Sequence, residues 1–480
     1  MIESSPSAAL STLTPPPQRS TSTFRLLIDA VRGVETDLTE APLGRALLML
    51  AVPMILEMFM ESIFAMVDVY WVAHLGAHAV ATVGLTESMM MIVYSLAMGI
   101  SIGAMALVAR RIGEKDADAA ASTAVQGIWL GLSMALVLGV AGAVFAPQLL
   151  ALMGADAEVV RTGSTFTRVM LGGNATVFLL FLINSVFRGA GDAAQAMRVL
   201  WLGNALNIVL GPLFIFGIGP FPELGVTGAA VATTLGRGIA VVYQLSILRK
   251  GAGKLSISRG HLRVIPKLMA SVAKLSLSAT GQMLISMTSY IAVMRILSTF
   301  GSAPLAGYTI GFRIFMFAIL PAFGLANAAA TLVGQNLGAK RPERAETSVW
   351  RASNISAGFL CTIGVGFLLG APALVSCFTR EPEVARHAVS YLRIVSLGFP
   401  FYAYGMVVSQ SFNGAGDTRT PTLINLLVFW ALQIPLAWGL SHYTSFGAEG
   451  VFATLALSFS VFAVVSVLAF RRGSWKRVAV

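Results

Sequence analysis

From about residue 46 to residue 470 the chain alternates long apolar runs with short polar breaks. Runs lie near 46–72, 80–108, 119–146, 158–187, 199–219 and 227–249, then near 268–297, 303–334, 347–371, 383–412, 420–440 and 449–470. Most exceed the roughly 20 residues that carry a helix across a bilayer. The apolar positions are continuous rather than alternating, which argues against the strands of a membrane β-barrel. The pattern predicts an all-α polytopic membrane protein with twelve transmembrane helices.

The two sets of six runs repeat one another at an offset of 225 residues. "FRGAGD" from Phe187 falls on "FNGAGD" from Phe412, and "LVARRIGEKDADAA" (107–120) falls on "LVGQNLGAKRPERA" (332–345). "EVVRTGSTFTRV" (158–169) falls on "EVARHAVSYLRI" (383–394), keeping Glu, Val and both Arg, and Pro147 falls on Pro372. After the fifth run the register slips by three, so "LGVTGAA" meets "FGAEGVF". Matches at charged and glycine positions mark an internal repeat rather than shared hydrophobicity. Six helices per half is an even number, so both halves enter the membrane with the same orientation as parallel repeats. The expected units are a disordered leader (1–43), an N-lobe (44–250), a linker (251–267), a C-lobe (268–470) and a tail (471–480). Two such lobes facing one another enclose a central cleft. Each G-A-G-D is expected to end a helix on glycine and to cap the next with Asp192 or Asp417. A phosphate loop is excluded, because the G-x-x-x-x-G-K-[ST] pattern and a preceding strand are missing.

Composition agrees: 56% of residues are hydrophobic and 11% charged, against roughly 25% charged in soluble domains. The net charge of +11 changes the picture through its distribution. Lys and Arg crowd every second loop, whereas Arg380 is the one basic residue in the intervening loops near 73–79, 147–157, 219–226, 298–303, 372–382 and 441–448. That is the positive-inside pattern, placing both termini in the cytoplasm of an inner-membrane protein and giving no role to nucleic acid. Cys361 and Cys377 have no ligand-like spacing to histidine, so neither a disulfide framework nor a zinc site is expected. The leader is rich in Ser, Thr and Pro and lacks the apolar core of a signal peptide.

Charges inside membrane helices are costly unless they face a cavity or a partner, so they mark function. The first run carries Glu57, Glu61 and Asp68. Spacings of four and seven residues bring all three within about 40° on one helical face. Buried carboxylates of this kind exchange protons, bind Na⁺ or pair with a cationic substrate. In the second half Ser286 aligns with Glu61 and Val293 with Asp68. The halves match in architecture and differ in charge. The Met-rich stretch 87–99, including Met91, is suited to a promiscuous substrate surface.

Several stretches together carry a family resemblance: "AMVDVYWVAHLG" with Tyr70, "FRGAGD", "NIVLGPLFIFG", "AGYTIGFRIFMFAILPAFGLANAAATLVGQNLGAKRPERA" and "FNGAGDTRTP". Over residues 44 to 470 the chain resembles the multidrug and toxic compound extrusion (MATE) family of cation-coupled antiporters. The resemblance implies two six-helix lobes around a cleft. It also implies an N-lobe cation site built from Asp68, Asn184, Asn207 and Thr233, with Na⁺ at Asp68, Asn184 and Asn207 as one option. The family's usual N-x-x-x-D-P is here Asn207 followed by Gly211-Pro212, so one carboxylate of that site is missing. Glu61 is expected to compensate in part, Glu57 belongs to the same candidate cation-coupling set, and the thinner anionic shell favours H⁺ over Na⁺. Arg313, in "YTIGFRIF", is expected to face the cleft carboxylates, with Tyr70 and Met91 also in the cleft.

The expected function is export of cationic or amphipathic drugs and other toxic compounds, in antiport with H⁺ or Na⁺, by a monomer with no organic cofactor. A lipid-linked precursor flippase of the same general fold would want a basic cleft, against which the carboxylates argue. An integral membrane transferase is disfavoured, because no paired-Asp, H-x-x-x-x-D or nucleophile-elbow motif lies at a membrane face. The chain is not expected to be an enzyme.

Overall fold

A computed structural model describes residues 23–251 and 253–478, without the side chains of Thr23, Asp68, Val69, Ala73 and Ala77. The first half contains α1 (Thr23–Arg32), α2 (Leu43–Ala73), α3 (Ala77–Gly113), α4 (Ala117–Leu152), α5 (Ala157–Gly172), α6 (Ala175–Ala190), α7 (Ala193–Phe216) and α8 (Val226–Lys250). The second contains α9 (Pro266–Ser298), α10 (Ser302–Gly338), α11 (Pro342–Ser376), α12 (Pro382–Ser396), α13 (Phe399–Ala415), α14 (Arg419–Asn425), α15 (Gln433–His442) and α16 (Ala448–Arg471). A π-helical stretch, Leu426–Leu432, joins α14 to α15. Among the described residues there is no strand. Eleven spans among the described residues are long and apolar enough to cross a membrane, and α12 with α13, bent by 61°, makes a twelfth when the pair is counted as one span.

The repeat reaches below the level of whole helices. The fourth span of each half breaks at Gly173 or Gly398, positions 225 apart. Each glycine presses on the last helix of its lobe. A Cβ on Gly173 would lie 2.7 Å from Thr234 Cγ2, and one on Gly398 would lie 3.0 Å from the Ala456 carbonyl. The three-residue slip falls in the loop before that last helix, 217–225 in one half and 443–447 in the other. Two expected helix ends are corrected. α4 runs through Pro147 to Leu152, and α11 through Pro372 to Ser376. A proline this close to a terminus costs the helix one backbone bond and bends it without ending it.

The G-A-G-D turns end helices as expected. Gly191 (φ 84°) and Gly416 (φ 86°) are left-handed C-caps. Gly189 and Gly414 stay helical and serve close packing instead: a Cβ would meet the Met105 carbonyl at 2.9 Å or the Ala330 carbonyl at 2.1 Å. Asp417 caps the following helix, accepting from Thr420 N at 3.1 Å and Thr420 Oγ1 at 2.6 Å. Asp192 makes no such side-chain cap, because the linker competes for it. Burial pushes its carboxyl up, and the Lys254 ammonium beside it pulls it back down.

The expected disordered leader is also corrected, from Thr23 onward. α1 and the segment 33–42 lie as a strap across the end of the molecule that carries the basic loops. Arg198 donates to the carbonyls of Val31 (3.2 Å) and Arg32 (2.6 Å), and Lys254 to that of Thr36 (2.9 Å). From the other lobe, Arg341 donates to the Thr39 carbonyl (2.7 Å) and to Glu40 (3.1 Å), and Arg344 to the carbonyls of Leu38 (3.2 Å) and Ala41. The order comes from cations distant in sequence. The expectation for residues 1–22 lies outside the described residues.

The lobes meet closely at this same end, where α3 crosses α9 and α10. A Cβ on Gly103 would lie 2.6 Å from Ser276 Oγ, and one on Gly99 2.0 Å from Thr280 Oγ1. The tightest pair is reciprocal: Gly113 would meet the Gln335 carbonyl at 2.0 Å, and Gly338 the Arg110 carbonyl at 2.1 Å. Both residues of each contact are 225 apart from their counterparts. The repeat axis therefore runs through the interface, as in a self-complementary dimer. Gln335 Nε2 also donates across it to the Gly189 carbonyl at 2.8 Å.

Candidate functional site

The carboxylates of α2 are held by the N-lobe. Glu57 is 2% exposed. Its Oε1 accepts from Asn184 Nδ2 and from Arg188 Nη1, both at 3.3 Å. Asn184 and Arg188 lie one turn apart on α6, so a single helical face presents an amide and a guanidinium to one carboxylate. The Asn184 Oδ1 in turn accepts from Gln244 Nε2 of α8 at 2.7 Å. Glu57 Oε2, Arg188 Nε and Gln244 Oε1 are buried without a partner among the described residues. The result is a buried ion pair with spare bonding capacity on both charges.

One turn along α2, Glu61 is partly buried and accepts from Asn204 Nδ2 of α7 at 3.0 Å. Asn207 Nδ2 donates to Thr233 Oγ1 of α8 at 2.8 Å. Asn184 and Asn207, expected to share one cation, are thus engaged by different partners. Asp68 lies in α2 one turn beyond Phe64; its side chain is outside the described residues. Among the described residues no group of three His, Cys, Asp or Glu is placed to hold a metal ion.

A cavity of about 220 Å³ opens in the N-lobe half that faces away from the basic loops. Phe64, Glu87, Met91, Tyr94, Thr233 and Arg237 are among its lining residues. The Arg237 guanidinium donates to the Tyr94 hydroxyl at 3.3 Å and sits about 6 Å from the ring centroids of Phe64 and Tyr94. The cavity therefore presents a carboxylate, a guanidinium and an adaptable methionine together. Of the expected cleft residues Met91 lines it. Tyr70 is exposed and packs edge-on against Trp71 and His74. Arg313 is exposed, with no ion pair to a carboxylate among the described residues.

The second half repeats these positions without their charge. Adding 225, or 222 beyond the loop slip, carries Glu57, Asn184, Arg188 and Gln244 onto Gln282, Ser409, Asn413 and Ser466. All four are buried and neutral. Arg188, Gln244, Asn204 and Arg237 were not among the expected site residues. A signal for Arg188 exists in the sequence: it is the variable letter of F-x-G-A-G-D, Arg in one copy and Asn in the other. The same swap, Glu to Gln, occurs at its partner.

Comparison with known proteins agrees with the fold. The family model MatE matches residues 53–213 and 279–438, one segment in each lobe. The chain is similar to the probable multidrug resistance protein NorM of Thermotoga maritima, at 25% identity over 91% of this chain and 94% of that one. It is similar to the FAD transporter of Shewanella oneidensis at 24% identity, covering 88% and 93%. It also superposes on a solved outward-facing structure of a multidrug resistance MATE family transporter of the MOP superfamily. The TM-score there is 0.85 at 27% identity, over 92% of this chain and 98% of that one. With both halves matched in order by the family model, the chain belongs to the MATE family of multidrug efflux transporters.

Proposed function

We propose that this transporter is an inner-membrane antiporter that exports cationic or amphipathic small molecules in exchange for H⁺, and that it works as a monomer. The observation that carries the reading is the buried Glu57–Arg188 pair, whose repeat equivalents are Gln282 and Asn413. A proton taken up by Glu57 removes the counter-charge of Arg188 inside the N-lobe. The state in which Arg188 finds another partner or water is then favoured, and only such differential binding moves an equilibrium between lobe arrangements. Glu61 and Asp68, on the same face of α2, extend the proton-binding stripe, and Thr233, bonded to Asn207, lines the cavity. Na⁺ is the alternative coupling ion for the same carboxylates. Basic loops, strap and tail share the closed end, which supports a cytoplasmic location for both termini.

The test is transport in proteoliposomes under a pH gradient or a Na⁺ gradient, imposed separately. Export driven by the pH gradient, lost in Glu57→Gln and reduced in Glu61→Gln and Asp68→Asn, is the expected result. Export driven by Na⁺ at constant pH would replace the ion. Failure to move any cationic dye under either gradient would remove the antiport reading.

Arg237 in the N-lobe cavity favours a second reading, an anionic aromatic cargo of the kind named for the Shewanella relative. Under that reading FAD competes with dye uptake in wild type and no longer does in Arg237→Gln.

A further inference from the structure

The C-lobe holds its own cavity, of about 200 Å³, at the repeat-equivalent place. The equivalence is residue by residue. Glu87, Thr233 and Arg237 of the N-lobe cavity correspond to Phe312, Leu455 and Phe459, and all three line the C-lobe cavity. Every charged position has become an aromatic ring, and the hydroxyl between them has become an aliphatic group. Four tyrosines, Tyr290, Tyr308, Tyr391 and Tyr402, complete the enclosure. Tyr290 and Phe312 approach to 4.7 Å between ring centroids, and Tyr402 and Phe459 to 4.3 Å.

None of the four phenol hydroxyls has a hydrogen-bond partner among the described residues. Two of them belong to Tyr308 and Tyr391, which are 2% and 1% exposed. The rings are packed away while the hydroxyl oxygens keep contact with the cavity space, where a ligand can supply the missing partner. At the cavity's edge the π-helical stretch loosens the backbone ladder: Ser289 Oγ donates to the Phe429 carbonyl at 2.8 Å, and Gln433 Nε2 donates to Ser289 Oγ at 3.2 Å. Single π-helical turns inside longer helices are frequent at functional sites.

We propose that this C-lobe cavity is a second ligand-binding site, selective for a flat aromatic cation one or two rings in size. Ring faces carry negative charge density and attract a cation, while offset or edge-on packing holds a planar ring system. Among the described residues no Lys, Arg, His, Asp or Glu lines the cavity, so the rings, the phenol oxygens and the neutral Ser286, Ser289 and Gln433 set its preference. Its volume takes a ring head and leaves any tail in the cleft. The two lobes thereby offer different chemistry at equivalent places: a charged cavity in one and an aromatic one in the other. The route by which a ligand arrives rests on the transport reading; binding itself does not.

The experiment is equilibrium binding of N-methylquinolinium to the detergent-solubilised full chain, by its fluorescence, with no gradient present. Phe312→Leu and Tyr402→Leu should each weaken binding by about tenfold, a size set by one lost ring contact and its burial. Phe312→Tyr, which keeps the ring, should bind as wild type, and so should Gly366→Ala, whose added Cβ meets nothing within 4 Å. Tetraethylammonium, without rings, should not compete, and neutral quinoline should bind more weakly. Unchanged affinity in both leucine variants would overturn the proposal. So would quinoline binding as tightly as the cation. A protein that binds the probe in this ring-dependent way and exports nothing would sink the antiport reading and leave the site standing.

Discussion

Glu57 and Arg188 show what one residue pair does to a lobe. Both side chains are deeply buried, 3% and 11% exposed, so removing one leaves the other's charge uncompensated. Loss of one partner of a buried pair costs about 3–5 kcal/mol. Glu57→Gln and Arg188→Asn should therefore each lower the melting temperature in detergent markedly. The double variant puts at these positions the neutral Gln and Asn that the C-lobe carries as Gln282 and Asn413, and should recover more than half of that loss. Proton-driven export should stay abolished in all three. A double variant as unstable as the sum of the singles would show that the two do not act as a pair. Glu57 was legible as a candidate because a carboxylate in an apolar run is conspicuous. Its partner was not, because Arg188 sits in a turn motif beside a basic loop and reads as topology. Only folding brings α6 against α2, and no local spacing encodes a contact across 131 residues.

Elements differ in how much of their structure is local. The spans of each lobe were legible because hydrophobic length is a local property, and the repeat fixed their order. The strap was not. Its Ser/Thr/Pro-rich beginning reads as disorder, whereas the order of residues 23–42 is imposed by Arg198, Lys254, Arg341 and Arg344. Arg198 belongs to the N-lobe, Lys254 to the linker behind it, and Arg341 and Arg344 to the C-lobe, so the strap ties the lobes together across the closed end. Hydrogen bonds from charged donors contribute about 1.5–3 kcal/mol each. Replacing Arg341 and Arg344 by Ala together should therefore raise local opening of the strap by well over tenfold. Limited trypsin digestion reads this directly as faster cleavage at Arg32, with the transmembrane helices still protected. Cleavage at the wild-type rate would mean that the contacts of Arg198 and Lys254 suffice on their own. The breaks at Gly173 and Gly398 were missed for a related reason. Neither glycine has a positive φ. Each is required by the neighbouring helix it touches, which the sequence around it does not reveal.

At the scale of the whole molecule the two lobes are held by glycines arranged about the repeat axis. Gly113 on Gln335 and Gly338 on Arg110 are one contact made twice, with about 2 Å left for a Cβ in each. No L-residue with a side chain fits there while the lobes stay closed, so this contact distinguishes the closed arrangement from any in which the basic ends separate. Gly113→Ala should shift the population towards separation without unfolding either lobe, since the clash lies between lobes. Hydrogen–deuterium exchange of the whole transporter measures this. Amides in 99–113, 272–280 and 330–338 should exchange faster, and those in α5 and α12, which pack within their own lobes, should not. Gly366→Ala is the matched control. Nothing lies within 4 Å of its added Cβ, and a glycine replaced by alanine at an unstrained position stabilises by about 0.4–1 kcal/mol. Uniformly faster exchange in Gly113→Ala would mean that the substitution damages the fold rather than the closure. Unchanged exchange would mean that the lobes accommodate a methyl group by sliding, and that the reciprocal contact does not hold the end shut. If the expected pattern appears, export should become slower while ligand binding in the C-lobe cavity stays intact. That cavity is built within one lobe, so moving the lobes apart leaves its rings in place.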